Sequence, residues 1–190
     1  MEQSGLKSSP VSRRVTALTP APGIAPGIGH YIAQLTETRE ELLRPLDGLG
    51  PAALSWHPTD QVESIGTQLL HVAAVEWSWV FEEIFRRSSD DYDGWEEAMP
   101  IRAGVAQVAD RSLTYFTDRL AQVRTDVVAA LAGLADADLD RLVADASPSS
   151  GVESSSELYS IDWILFHLVQ HEAHHAGQVE LLVRFLPPVP

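Results

Sequence analysis

The feature that most constrains this 190-residue chain is a pair of histidines inside its longest helical apolar pattern. His171 and His175 are four residues apart, so on a helix they share one face, with Cβ atoms roughly 5–6 Å apart. A stripe of this spacing faces a protein core. Two imidazoles on such a face need partners for their nitrogens, and either a shared metal ion or ordinary hydrogen bonds would supply them. The other members of the stripe are apolar: Ile164, Leu168, Val179 and Leu182.

Residues 171–175 also satisfy the pattern His-Glu-x-x-His, in which zinc proteases use two histidines as ligands and the glutamate as general base. In those enzymes the third ligand follows further along the chain. Here only residues 176–190 follow, and their one acidic side chain, Glu180, is on the same helix. The sequence therefore argues against a protease.

A third metal ligand is expected upstream of the pair. His167 and His174 share the helix of the pair and could not approach the ion from a second direction. His57 precedes a proline in a turn-like stretch, and His30 is near the start of the first predicted helix. His71 is within a helix that is apolar almost all round, as a central helix would be. The spacing thus predicts a site formed by three histidines from two helices: His71, His171 and His175.

Three neutral imidazoles leave the charge of a divalent ion uncompensated and coordination positions open, as in catalytic zinc sites. Such an ion lowers the pKa of bound water to about 7 and deprotonates a coordinated thiol. The site could therefore serve a hydrolase, with water, or a transferase, with a small thiol. Side chains that could orient the ligands from a second layer are Gln178, Glu172 and His174, whereas Glu76 is expected to face elsewhere.

Apolar periodicity predicts four helices, at about 27–47, 62–87, 103–134 and 158–186. The third helix includes Ser112 in its apolar stripe. No segment alternates with period two, so no strand is expected. The pattern predicts an all-α fold, a four-helix bundle of the up-down type with a crossover connection.

Composition favours one soluble domain. Residues 1–26 are rich in Ser, Pro and Gly and are predicted to be a flexible tail, and residues 27–190 a single domain. Ser12-Arg13-Arg14 resembles a twin-arginine signal, but the residues after it contain too many helix breakers, so a cytoplasmic location is expected. The net charge of −14 argues against binding nucleic acid or an anionic membrane. Since the chain has no cysteine, any sulfur chemistry needs a thiol cosubstrate.

Two loops and one aromatic group allow alternative interpretations. Residues 88–100 are acidic and are interpreted as a solvated loop, with a surface for a cation or partner as the alternative. Residues 144–157 are interpreted as a linker, with a mobile rim over the site as the alternative. Four aromatic residues at helical spacing are interpreted as core, although they could line a pocket: Trp77, Trp79, Tyr159 and Trp163.

Three short motifs, in this order, resemble the DinB-like (YfiT-like) superfamily of metal-binding four-helix bundles. The motifs are Leu54-Ser-Trp-His-Pro58, Ser64-Ile-Gly-Thr-Gln-Leu-Leu-His71 and His171-Glu-Ala-His-His-Ala-Gly-Gln178. The resemblance extends from about Gly27 to Leu186 and places the metal ligands of the family on His71, His171 and His175. The expected cofactor is a divalent metal ion, zinc or nickel.

The resemblance also implies a function, because relatives include transferases that use bacillithiol or mycothiol and a mycothiol-dependent isomerase. The expected activity is transfer of such a thiol to an electrophilic small molecule. A metal-dependent hydrolase and a non-catalytic metal-binding protein of a stress response are the alternatives. The resemblance is also compatible with a homodimer.

Overall fold

Serine and proline residues mark the starts of the helices. The computed structural model describes residues 17–92, 107–144 and 157–188. Proline occupies the first turn of the first two helices, and the hydroxyls of Ser64, Ser112 and Ser160 accept hydrogen bonds from backbone N–H groups at the start of the last three. The helices are α1 (Pro26–Leu43), α2 (Pro51–Ser55), α3 (Ile65–Trp77), α4 (Leu113–Leu131) and α5 (Ile161–Phe185).

The first helix and the last pack together along their length. Tyr31 donates a hydrogen bond to Asp162 at 2.7 Å, and roughly two to three helical turns further along both helices, Arg39 bonds Glu172. Residue numbers therefore increase in the same direction on both helices, and α1 and α5 run parallel.

The start of α1 is capped from a distance. Ala25, which precedes the helix, has no side chain that can accept a hydrogen bond. Instead, Asp136 Oδ1 accepts from the backbone N–H groups of Gly27 at 2.8 Å and Ile28 at 3.3 Å. A Cβ atom on Gly27 would lie 2.9 Å from that oxygen, so the absence of a side chain there permits the close approach.

The two middle long helices, α3 and α4, also run parallel. Gly66 lies so close to Phe116 that a Cβ atom on it would be 2.5 Å from the ring, and further along both helices Glu76 bonds Arg124. α4 nevertheless begins beside the start of α3, where the backbone N–H of Val108 donates to the hydroxyl of Thr67 at 3.1 Å. The chain thus returns along the bundle before α4 begins. This is the predicted crossover connection in an all-α four-helix bundle.

The prediction that the chain has no strand was wrong. Leu142–Ala144 (β1) and Leu158–Ser160 (β2) form a two-stranded antiparallel ribbon in which Val143 pairs with Tyr159. Strands of three residues are too short to display an alternation of period two. Their pairing depends on the approach of two chain segments that are distant in sequence.

The helix limits differ from the prediction in three places. α4 begins at Leu113 because Ser112 is its N-terminal cap, so Ser112 does not belong to a buried stripe. The predicted start of this helix, residues 103–106, lies outside the described residues. The second predicted helix is α3 extended by a π-helix at Ser78–Ile84, and short helices intervene at Arg44–Leu46, Pro51–Ser55, Ser89–Asp91 and Asp136–Asp140.

Several predictions concern segments that are described only in part. Residues 17–25 precede α1 without forming a helix, and Ala21 and Ile24 pack against the core. The rest of the predicted tail lies outside the described residues, as do most of the acidic loop 88–100 and of the loop 144–157. Within the described ranges, no helix combines the length and apolar character needed to cross a membrane.

Candidate metal centre

Three histidines meet where α3 faces α5. His71 comes from α3, whereas His171 and His175 occupy successive turns of α5. The Nε2 atoms of His71 and His171 are 3.3 Å apart, and the three side chains each offer a nitrogen within 4.8 Å of the other two. His71 and His175 are buried, and His171 is partly exposed. The predicted trio is therefore brought together, with solvent access at one ligand.

The spacing of the nitrogens fits a metal ion. A tetrahedral site with metal–nitrogen bonds of about 2.0–2.1 Å places neighbouring ligand atoms roughly 3.3–3.4 Å apart. The Nε2 atoms of His71 and His171 already have this separation. Three imidazoles are a donor set that suits zinc and nickel, and they leave at least one position for another ligand.

The protonation of His171 and His175 is also suited to metal binding, which requires neutral imidazole. Burial, reinforced by the neighbouring histidines His175 and His71, lowers the pKa of His171 to about 2. Burial and the adjacent His174 lower the pKa of His175 to about 4, although a hydrogen bond with Gln178 opposes the shift. Both side chains therefore present unprotonated nitrogens at neutral pH.

A family model for the DinB superfamily matches residues 34–179, more than half of the chain. The chain belongs to the DinB superfamily. This superfamily is metal-binding, and the three converging histidines of this member lie inside the matched range. Among curated proteins, none matches the chain.

In this DinB-superfamily chain, His175 is oriented by two glutamines. Its Nδ1 lies 3.2 Å from Gln68 Oε1, and Gln178 also hydrogen-bonds the ring. When Nδ1 donates to the amide oxygen of Gln68, Nε2 is the nitrogen left to face an ion. Gln178 is among the residues predicted from the sequence, whereas Gln68 is not. The available signal was its position three residues before His71, on the same face of α3.

The other two predicted second-layer residues point elsewhere. Glu172 is buried and directed into the bundle, where its carboxylate bonds Arg39 and Arg124. His174 is exposed on α5, with its ring centroid 6.0 Å from that of His175. Consecutive residues of a helix point about 100° apart around its axis. Glu172 therefore points away from the direction of His171, and His174 from that of His175.

The rejected histidine candidates lie away from the trio or beside it without joining it. His30 is exposed on α1, and His57 is held by a 2.9 Å contact between its Nδ1 and the carbonyl of Thr59. His167 lies one turn before His171, with ring centroids 6.1 Å apart, and stacks on Trp163 instead.

Glu172 belongs to a buried ion quartet, formed by Arg39, Glu76, Arg124 and Glu172, one residue from each long helix. Arg39 bonds both carboxylates and the carbonyl of Leu120, and Arg124 also bonds both carboxylates. Burial disfavours charge on Arg124, but the two carboxylates outweigh that effect and raise its pKa above the usual value. Glu76 thus faces away from the trio, as predicted from its spacing.

Aromatic rings continue the line of the trio back along α5 and into β2. We call this set the ring column: Tyr159, Trp163, His167, His171 and His175, spaced four residues apart. Successive ring centroids are 4.7, 5.0, 6.1 and 4.6 Å apart, and Trp163 and His167 are nearly parallel at 3°. Trp79 of the π-helix packs edge-on against the first three rings of the column.

The predicted aromatic group is therefore divided between two environments. Trp77 is buried against Phe81 and Tyr92, as expected for core. Tyr159 and Trp163 instead line a surface depression of about 490 Å³. The alternative interpretation, in which aromatic residues line a pocket, holds for these two.

Proposed function

We propose that this chain is a metal-dependent enzyme that transfers a low-molecular-weight thiol of the bacillithiol or mycothiol type to an electrophile. The observation that carries the proposal is the set of three imidazoles, His71, His171 and His175, with nitrogens at metal-ligand spacing. Membership of a metal-binding superfamily supports the same conclusion. The proposed ion is zinc or nickel.

The residues around the proposed ion have separable roles. The three histidines hold it while neutral, and Gln68 keeps the Nε2 atom of His175 directed inward. A divalent ion in this place would lower the pKa of a coordinated thiol or water and supply a nucleophile near neutral pH. Trp79 packs against Trp163 and His167 of the ring column beside the site.

Because the chain has no cysteine of its own, the thiol of the proposed transfer is a cosubstrate. In the proposed reaction the thiol proton passes to solvent, the sulfur forms a bond to an electrophilic carbon, and the leaving group departs with the electron pair. The net charge of −14 supports small-molecule partners rather than nucleic acid or an anionic membrane. A cytoplasmic, homodimeric enzyme is part of the same proposal.

The test begins with metal content, measured by elemental mass spectrometry on protein purified without a metal-binding tag. Wild type is expected to carry about one ion per chain, and His71→Ala, His171→Ala and His175→Ala are each expected to lose it. His174→Ala is the matched control, because it removes an exposed histidine of the same helix. Its metal content should be unchanged.

The second part of the test measures consumption of an electrophile by the metal-loaded protein with and without bacillithiol or mycothiol. Turnover that requires both the metal and the thiol supports the proposal. Turnover without thiol would replace it with a hydrolase. Bound metal without any turnover would leave a non-catalytic metal-binding protein, and no metal uptake at all would contradict every one of these functions.

A further inference from the structure

The depression at one end of the ring column has the size and lining of a ligand site. We call it the rim pocket, and its lining residues are Leu142, Glu157, Leu158, Tyr159, Ser160 and Trp163. Its volume of about 490 Å³ lies within the range of roughly 300–1,000 Å³ that is usual for small-molecule pockets. The ribbon of β1 and β2 forms one wall and the first turn of α5 another.

Three large apolar side chains are exposed around the rim pocket. Leu142 is 59% exposed, Leu158 58% and Trp163 40%. Between 40% and 59% of the area of these residues is in contact with water, so a ligand that covers them would remove apolar surface from water. The polar group beside them is the Glu157 carboxylate, which accepts a hydrogen bond from the Tyr159 hydroxyl. A negative charge here, on a chain of net charge −14, disfavours an anionic occupant.

The rim pocket is joined to the histidine trio by the ring column. Trp163 stacks on His167 at a centroid spacing of 5.0 Å, and the ring of His171 follows at 6.1 Å, tilted by 44°. Trp163 and His171 are eight residues apart, which is about 12 Å along the helix axis. The rim pocket and the trio are therefore about 12 Å apart along α5, a separation within the length of a small organic molecule.

We propose that the rim pocket binds a neutral aromatic group of the electrophilic substrate, and that the ring column sets a distance of about 12 Å between this group and the reacting atom. Aromatic rings prefer edge-to-face contacts with such ring edges, so an aromatic occupant gains more than an aliphatic one of equal size. The inference rests on the proposed function for the reacting end of the molecule. Binding in the rim pocket does not require that function.

The first experiment measures binding of naphthol to metal-free protein by NMR titration. Naphthol is neutral, planar and small enough for the pocket. We expect Trp163→Ala and Leu158→Ala each to weaken binding about tenfold, which is about 1.4 kcal/mol, and Trp163→Phe to retain most of it. Phe166→Ala is the matched control, because Phe166 is 45% exposed on the same helix but does not line the pocket. Equal affinity in all variants, or no binding by wild type, would overturn the inference.

The second experiment uses metal-loaded enzyme, thiol, and epoxides that carry a naphthyl group on linkers of increasing length. Here the sulfur forms a bond to an epoxide carbon, the carbon–oxygen bond breaks, and the oxygen takes up the thiol proton. We expect kcat/KM to be greatest for the linker that spans about 12 Å, and Trp163→Ala to reduce the preference over a small aliphatic epoxide about tenfold. A preference that is unchanged in Trp163→Ala would refute the pocket's role in the reaction.

The two proposals fail in different ways. If metal and thiol-dependent turnover are absent but naphthol binding depends on Trp163, the proposed function is wrong and the rim pocket is a binding site. The opposite result is turnover by an enzyme in which Trp163→Ala changes neither the affinity for naphthol nor the dependence of kcat/KM on linker length. In that case the proposed function stands and the inference is wrong.

Discussion

Two clusters of polar side chains lie within the same bundle, and they differ in how their charges are balanced. The ion quartet pairs two guanidinium groups with two carboxylates, so each charge meets its complement inside the protein. The histidine trio brings together three groups of the same kind, and burial and neighbouring histidines keep His171 and His175 neutral. The clusters are adjacent, because Glu172 follows His171 in the chain.

This difference separates a structural cluster from a candidate site. A buried charge network is tolerated when all its members are paired, and the quartet contributes one member from each long helix. The three imidazoles of the trio each offer a nitrogen at one place, where a cation could accept their lone pairs. The quartet thus fixes how the helices meet, and the trio uses that arrangement.

The largest expected effect comes from breaking the quartet. Arg124→Met removes one guanidinium and leaves two buried carboxylates sharing Arg39, so the free energy of unfolding should fall by about 3–5 kcal/mol. Urea denaturation measures this change. Arg184→Met is the control, since Arg184 forms an exposed pair with Glu180 and should cost less than about 1 kcal/mol. A loss in Arg124→Met no greater than in the control would show that the quartet does not hold the helices.

A smaller effect is expected from acid on the metal-free protein. The pKa of His171 and His175 is lowered in the folded state, to about 2 and about 4, so these rings stay neutral while the unfolded chain takes up protons below about pH 6.5. Stability should therefore fall as the pH drops from about 6.5 towards 4. Between pH 7 and 5.5 the loss should be about 1 kcal/mol for each histidine.

Urea denaturation at pH 7 and 5.5, after removal of metal with a chelator, measures that loss. The double variant His171→Gln, His175→Gln should show a much flatter dependence on pH, whereas His174→Gln should behave as wild type. A dependence that persists undiminished in the double variant would assign it to other groups.

The smallest expected effect is on metal affinity, and it comes from Gln68, which contacts the trio from outside. Gln68→Ala removes the acceptor for His175 Nδ1, and metal affinity should fall about tenfold, at the lower end of the range for such supporting residues. Competition with a chromophoric chelator measures the affinity. Gln68→Glu keeps an acceptor and should restore most of it. The orienting role of Gln68 would be refuted by unchanged affinity in a folded Gln68→Ala protein.

Much of the fold could be predicted because helical periodicity is a local property. The stripe around His171 and His175 identified α5 and its inward face, and the serines before α3, α4 and α5 are local capping signals. Ser112 was misassigned because its spacing fits the apolar stripe of the helix, while serine is also a common N-terminal cap, and the sequence alone does not distinguish the two positions. The ribbon of β1 and β2 was missed because its stability comes from pairing between distant segments.

Some residues of the site could be predicted and others could not, because only some of them stand out from their neighbours in the sequence. His71 was found because a lone histidine in an almost wholly apolar helix is conspicuous. Gln68 is just as well placed, but a glutamine carries no such contrast. The quartet was invisible in sequence, because Arg39 and Arg124 find their partners only when four helices meet. Glu172 was therefore predicted to orient the metal ligands, whereas its carboxylate bonds Arg39 and Arg124 inside the bundle.

The cap on α1 has a consequence for the order in which the chain folds. Asp136, which caps Gly27, is 109 residues further along the chain, so an isolated α1 lacks the hydrogen bonds that complete its first turn. Helices of this length are marginal alone in water, and closing so large a loop carries an entropic cost that only later contacts offset. The completion of α1 is thus expected to follow the arrival of the chain beyond α4, although α1 precedes the other described helices in the sequence.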